Sequence, residues 1–300
     1  MESLPRWHDP TVVICTLGDA LLDVVVHLNT PLAHGGDAVA TTRLRPGGQA
    51  ANVAAWVAWL GGTARCIAMQ SDDASGRLVA EELRTRGVQL CGPTVAAGTG
   101  TVVALVDATG ERTMATDVGV GCDLRADVLE PAWFTGCDRL HISGYALMRS
   151  PIDGAALHAG RHLAAMGAAA DVRVSVDLSS WSFIKQFGPK RLALLLDELR
   201  PHTVFTNEEE LDALGDRPTC EVLVVKLGHN GVTVHSPDGT VHHPAEPATA
   251  IDTTGAGDAF AAGYLLGTSL DDGVRRGLAA AATCITTIGG VPPGSNRGVG

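Results

Sequence analysis

Short apolar runs rich in β-branched residues alternate with stretches of helical period along most of this chain, and that alternation restricts the fold to a largely parallel sheet covered by helices on both faces. Strands are expected over 11–17, 64–69, 140–143, 172–178, 203–206 and 222–227, where the runs are too short for helices. Helices are expected over 75–86, 154–166, 189–199 and 207–214, and over 50–60, where Ala50, Val53, Ala54, Val57 and Leu60 recur at helical spacing until Gly61-Gly62 stop the pattern. Two more are expected near the end, over 259–266 and 271–288. The fold class is therefore α/β, a doubly wound sheet flanked by helices, and 300 residues are ample for one such domain. Segments 24–44 and 100–118 break the rhythm with strand-like residues, turn glycines and no helix of their own. They read as a small β-sheet lid over the main domain, or equally as plain surface hairpins.

The stretch Asp252-Thr253-Thr254-Gly255-Ala256-Gly257-Asp258 sets a glycine-rich turn before one of these helices and a carboxylate in its first turn. The first amides of a helix lack intrahelical partners and, with the helix dipole, form a pocket for an anion. Gly255 and Gly257 let backbone approach that anion, and Asp258 beside it is placed to accept a hydroxyl proton while the amides of Gly255, Ala256 and Gly257 stabilise charge on a transferring phosphoryl group. On spacing alone an ordinary turn and a dipole-favoured carboxylate account for the same residues equally well.

The net charge of −11 argues against a nucleic-acid or membrane surface, for which a basic face is expected. Seven cysteines without a CxxC pair read as small reduced core residues, and no uncharged apolar run is long enough to span a membrane, so a cytoplasmic protein is expected. His242 and His243 would point to opposite faces of a strand, and the pair His158 and His162 lacks a matching carboxylate motif, so no structural metal is expected. No Gly-x-x-x-x-Gly-Lys-Ser/Thr loop is present, which excludes a P-loop enzyme.

A second glycine site, Gly47-Gly48-Gln49-Ala50-Ala51-Asn52, precedes the first long helix. Together with the turn from Asp252 to Asp258 it resembles the paired signatures of the ribokinase-like family, the PfkB-type carbohydrate kinases. The resemblance implies a ribokinase-like fold and transfer of the γ-phosphate of ATP to a hydroxyl, with Asp258 as the base and the turn amides as the anion hole. It gives Asp23, at the end of Gly18-Asp19-Ala20-Leu21-Leu22-Asp23, the role of holding substrate hydroxyls, with Asp19, Gly47, Gly48, Gln49, Asn52 and Tyr145 around the same ligand. Asn207 and Glu210 resemble the Asn-x-x-Glu element that positions Mg²⁺ and phosphate, mostly through water. Lys226, Gly228 and Gly231 resemble the turn that borders the nucleotide, and Asp252 and Thr254 resemble positions that bind K⁺ in many members. Exposed lid strands in this family often pair between subunits, which implies a homodimer.

Gln49 stands where ribokinases usually carry Lys, which suits an uncharged polyol and puts ribose itself in doubt. The first choice of acceptor is a small sugar or related polyol. A nucleoside is the alternative, although neither lid segment offers an aromatic ring for a base. Arg43, Arg45 and Arg112 lie in or beside those segments, where they could bind a phosphorylated or acidic sugar; the first expectation is that they face solvent. A protein that binds sugar or nucleotide without turnover is the third reading, opposed by the intact Asp258 and its glycines.

Overall fold

The computed structural model describes residues 12–32, 35–107, 112–121, 124–149, 158–160 and 172–293. The chain runs β1 (Val13–Leu17), β2 (Leu21–Leu28), β3 (Ala40–Gly47), α1 (Gln49–Trp59), β4 (Thr63–Ile67), β5 (Gln70–Ser71), α2 (Ala74–Thr85), β6 (Val88–Cys91), β7 (Thr94–Val95), β8 (Thr101–Val106) and β9 (Arg112–Asp117). It continues through β10 (Arg139–Ser143), α3 (Gly144–Arg149), β11 (Arg173–Asp177), α4 (Trp181–Phe187), α5 (Pro189–Leu199), β12 (Thr203–Asn207), α6 (Glu208–Leu214) and β13 (Val222–Lys226). The hairpin strands β14 (Val232–Ser236) and β15 (Gly239–His243) then precede α7 (Ala256–Leu265) and α8 (Leu270–Cys284).

Among the described residues nine strands make the main sheet, in the order β15-β14-β13-β12-β11-β10-β1-β4-β6, and only β14 runs against the rest, pairing antiparallel with both β13 and β15. From β1 the chain winds outward through β4 and β6, then returns to β10 on the other side and winds through β11, β12 and β13. The reversal opens a crevice at the carboxyl ends of β1 and β10, the place where open α/β sheets bind ligands. Two apolar clusters sandwich the sheet. One joins Ile14 and Phe205 to Trp56 of α1 and Phe260 and Val274 of α7 and α8. The other joins Leu17 and Leu140 to Ile184, Leu196 and Leu214 of α4, α5 and α6.

A separate sheet has the order β3-β2-β8-β9. Its strands begin at Leu21 and extend to Gly47, beyond the expected 24–44, and β3 passes directly into α1. The expectation that this segment has no helix of its own therefore fails: Gly48, at φ 93, turns the chain with no spacer. Helix α8 stops at Cys284 rather than 288, because the carbonyl of Ile285 accepts the amides of Ile251 and Asp252 instead of continuing the helix. The expected helix over 154–166 and the partner of His158, His162, fall largely outside the described residues, within which 158–160 are helical.

Candidate active site

Each parallel strand near the crevice ends in a polar residue. Asp19 follows β1, Ser143 ends β10, Asp177 ends β11, Asn207 ends β12 and Lys226 ends β13. Strand register sets them side by side, Ser143 against Asp177 and Asn207 against Lys226. Above them lies the start of α7. Its N-cap is Gly255 at φ 74 with no capping side chain, so the helix end is left open to an anion. A Cβ at Gly255 would collide with the backbone of Gly290, so only glycine fits. Of the three expected anion-hole amides, that of Ala256 makes a long bond of 3.3 Å to the carbonyl of Thr253.

Asp258 accepts a hydrogen bond from Asn52 Nδ2 at 2.9 Å, which joins the two glycine motifs. Burial pushes its pKa up to about 7 against the restraint of that bond, and the carboxylate of Asp177 adds to the rise. Lys226 is half-buried beside it and bonds Asp177 Oδ2 at 2.6 Å. Burial opposes the ammonium, yet the carboxylates of Asp177, Glu210 and Asp258 outweigh that and raise its pKa. The Lys226 ammonium is thus held at the site, its Nζ 3.2 Å from where a Cβ on Gly257 would sit. Asn207 and Glu210 form a reciprocal capping box on α6, Glu210 N donating to Asn207 Oδ1 (2.8 Å) and Asn207 N to Glu210 Oε2 (3.0 Å). Burial and the nearby Asp177 push Glu210 up to about 7. Glu208 and Glu209 are exposed.

The other side of the crevice carries buried acceptors. Asp19 Oδ1, Asn52 Oδ1 and Ser143 Oγ are buried and make no hydrogen bond with any described residue, an arrangement that suits hydroxyl ligands. Burial raises the pKa of Asp19, and burial plus the Asp19 carboxylate raises Asp23 to about 7. A Cβ at Gly47 would strike the Asp23 carboxylate, and one at Gly48 would strike the carbonyl of Asp19. Gln49 accepts from Ser179 Oγ at 2.6 Å, and Ser179 is held at φ 69, an uncommon backbone for serine. Tyr145 packs edge-on against Phe183 with the guanidinium of Arg149 over both rings.

Both oxygens of Asp252 take backbone amides, from Thr254 (2.7 Å) and Gly289 (2.9 Å), pinning the turn to the segment after α8. Beside that turn a cavity of about 470 Å³ is lined by Lys226, Gly228, Gly231, Ala256 and Gly257 together with apolar residues such as Val232, Pro247 and Ile285. Sequence reasoning missed Asp177, Ser143 and Ser179. Asp177 left one signal, a carboxylate at the end of a short strand-like run.

The model of the pfkB family carbohydrate kinases matches residues 13–296. An ATP-dependent ribose-1-phosphate kinase from Halopiger xanaduensis is 30% identical over 284 residues, 91% of this chain and 90% of that protein. A fructokinase from Klebsiella pneumoniae is 30% identical over 286 residues, 90% and 88% of the two chains. The crystal structure of adenosine kinase from Sinorhizobium meliloti superposes with a TM-score of 0.78 at 25% identity, covering 94% of this chain and 96% of that one.

Proposed function

Because this chain belongs to the pfkB family of carbohydrate kinases, we propose that it moves the γ-phosphate of ATP to a hydroxyl of a small sugar held in the crevice between the two sheets. The observation that carries this is the junction of the two glycine motifs: Asn52 bonds Asp258 in the first turn of a helix whose end is uncapped, between buried acceptors on one side and a cavity of about 470 Å³ on the other. Asp258 accepts the proton of the acceptor hydroxyl, whose oxygen bonds to the γ-phosphorus as the bond to the bridging β–γ oxygen breaks and ADP leaves. The amides at Gly255 and Gly257, with Lys226, stabilise the charge on the phosphoryl oxygens. Asp19, Asp23 and Asn52 hold the remaining hydroxyls, with Gly47, Gly48, Gln49 and Tyr145 shaping their surroundings.

Asp177 and Glu210, buried and short of counter-charge apart from Lys226, fit a hydrated Mg²⁺ beside the donor phosphates, and the ion supplies charge neutralisation there. K⁺ would lie at the Asp252–Thr254 turn, using carbonyls near Gly289 since the Asp252 oxygens already hold amides. The small sheet acts as the lid, and its edges, β3 and β9, offer pairing surfaces for a homodimer.

A nucleoside acceptor is the second reading, favoured by the likeness to an adenosine kinase. The lid face toward the crevice carries Arg45, Asp23, Val25, Val102, Ala104 and Met114, none of them a ring on which a base could stack. The test is ADP release from ATP and Mg²⁺ against sugars, sugar phosphates and nucleosides, beside Asp258→Asn. A sugar acceptor with activity lost in the variant is the expected result; turnover of nucleosides alone would replace it with the second reading.

A further inference from the structure

Strand pairing puts Arg45 opposite Asp23, and Arg43 two residues along on the same face. That face turns toward the crevice, because Asp23, Arg45 and Met114 bound a small cavity with Asp252, Thr254 and Gly289. Arg45 is thus half-buried instead of facing solvent, its Cδ 3.0 Å from where a Cβ on Gly289 would sit. Its guanidinium makes no hydrogen bond or ion pair with any described residue. Burial lowers its pKa, the nearby charges of Arg86 and Arg43 lower it further, and the more weakly felt carboxylates of Glu82 and Asp252 act the other way without cancelling the shift. Arg86 is already engaged by the carbonyl of Pro292 and by Glu82, whereas Arg43 is exposed beside Arg45. A desolvated guanidinium with a second one next to it and no carboxylate bonded to it is a site for a dianion, since arginine holds phosphate through two parallel N–H bonds.

Resting on the kinase reading, we infer that Arg45, assisted by Arg43, selects an acceptor sugar that already carries a phosphate. The anion is the acceptor's and not the donor's. Arg45 shares its cavity with Asp23, the hydroxyl-binding carboxylate, while the donor cavity lies across the Asp252–Gly257 turn and is bordered by Lys226. The phosphate bound at Arg45 is a handle, left unchanged as the free hydroxyl at Asp258 is phosphorylated.

The test has two arms. In the first, KM and kcat are measured for a pentose, its 1-phosphate and its 5-phosphate with wild type, Arg45→Gln, Arg45→Lys and Arg43→Gln. One sugar phosphate should have the lowest KM, and Arg45→Gln should raise that KM by about 10- to 100-fold, more than for the free pentose, with KM for ATP nearly constant. Arg45→Lys should restore part of the loss and Arg43→Gln should show a smaller one. Equal KM values for the pentose and its phosphates, or an Arg45→Gln effect on KM for ATP instead, would overturn the inference. In the second arm the same sugars are titrated calorimetrically into nucleotide-free protein. Arg45-dependent binding of a pentose phosphate without turnover would sink the kinase reading and leave the anion site standing. Turnover of free sugars with no Arg45-dependent binding of their phosphates would do the reverse.

Discussion

Asp258 sits at a pKa of about 7, raised mainly by its burial, so a base at this position gains its proton-accepting form as pH rises through neutrality. The acid limb of kcat/KM should therefore climb to a plateau above about pH 7, measured by coupled ADP release. Asp258→Asn should cost about 10²- to 10⁴-fold in kcat, the range for a lost general base, with little change in KM for the acceptor. Asn52 refines this: its amide stabilises the Asp258 carboxylate, so Asn52→Ala should move the acid limb to higher pH as well as weaken acceptor binding. A limb that stays in place in Asn52→Ala would show that another group, such as Glu210 at about 7, governs the profile.

At the scale of the element, the turn before α7 and the buried pair behind it make opposite demands. Gly255→Ala would place a side chain at φ 74 against Gly290 and should destabilise the fold by about 1–3 kcal/mol, read as a lower urea midpoint. Lys226→Met would strand Asp177 in the interior and should cost about 3–5 kcal/mol by the same measurement. The turn was legible in the sequence because its chemistry is local: glycines, a helix start and an aspartate lie within a few residues. The pair of Lys226 and Asp177 was not, because the two meet only through the register of three adjacent strands. The half-buried place of Arg45 departs from its first expectation for a related reason, since the face a strand residue occupies depends on a pairing that composition does not reveal. The hairpin of β14 and β15 was passed over although Pro237-Asp238-Gly239 is a recognisable turn between alternating residues. Most parallel strands and helices lay within a few residues of their expected places, because their apolar runs report burial on both faces.

Across the whole molecule the raised carboxyls act together. Asp23, Glu210 and Asp258 have folded pKa values of about 7, above those of the unfolded chain, so their contribution to stability is present below pH about 4 and is lost as pH rises through 7. His141, driven down to about 4 by burial, works the other way below its ordinary 6.5, one imidazole against these three carboxyls. The unliganded protein should consequently melt at a lower temperature at pH 8 than at pH 5.5, and Asp258→Asn should narrow that gap. An unchanged gap would mean that the carboxyl is hydrated in solution. The fold also closes over long spans of sequence. The Asn52–Asp258 bond links residues 206 apart, and the indole of Trp56 donates to the carbonyl of Gly290 across 234. A chain emerging from the ribosome thus carries Asp19, Asp23 and Asn52 long before it carries Asp258 or the turn that precedes it. Until the last helices are synthesised, the nascent polypeptide can shape a crevice but has no means of spending ATP in it.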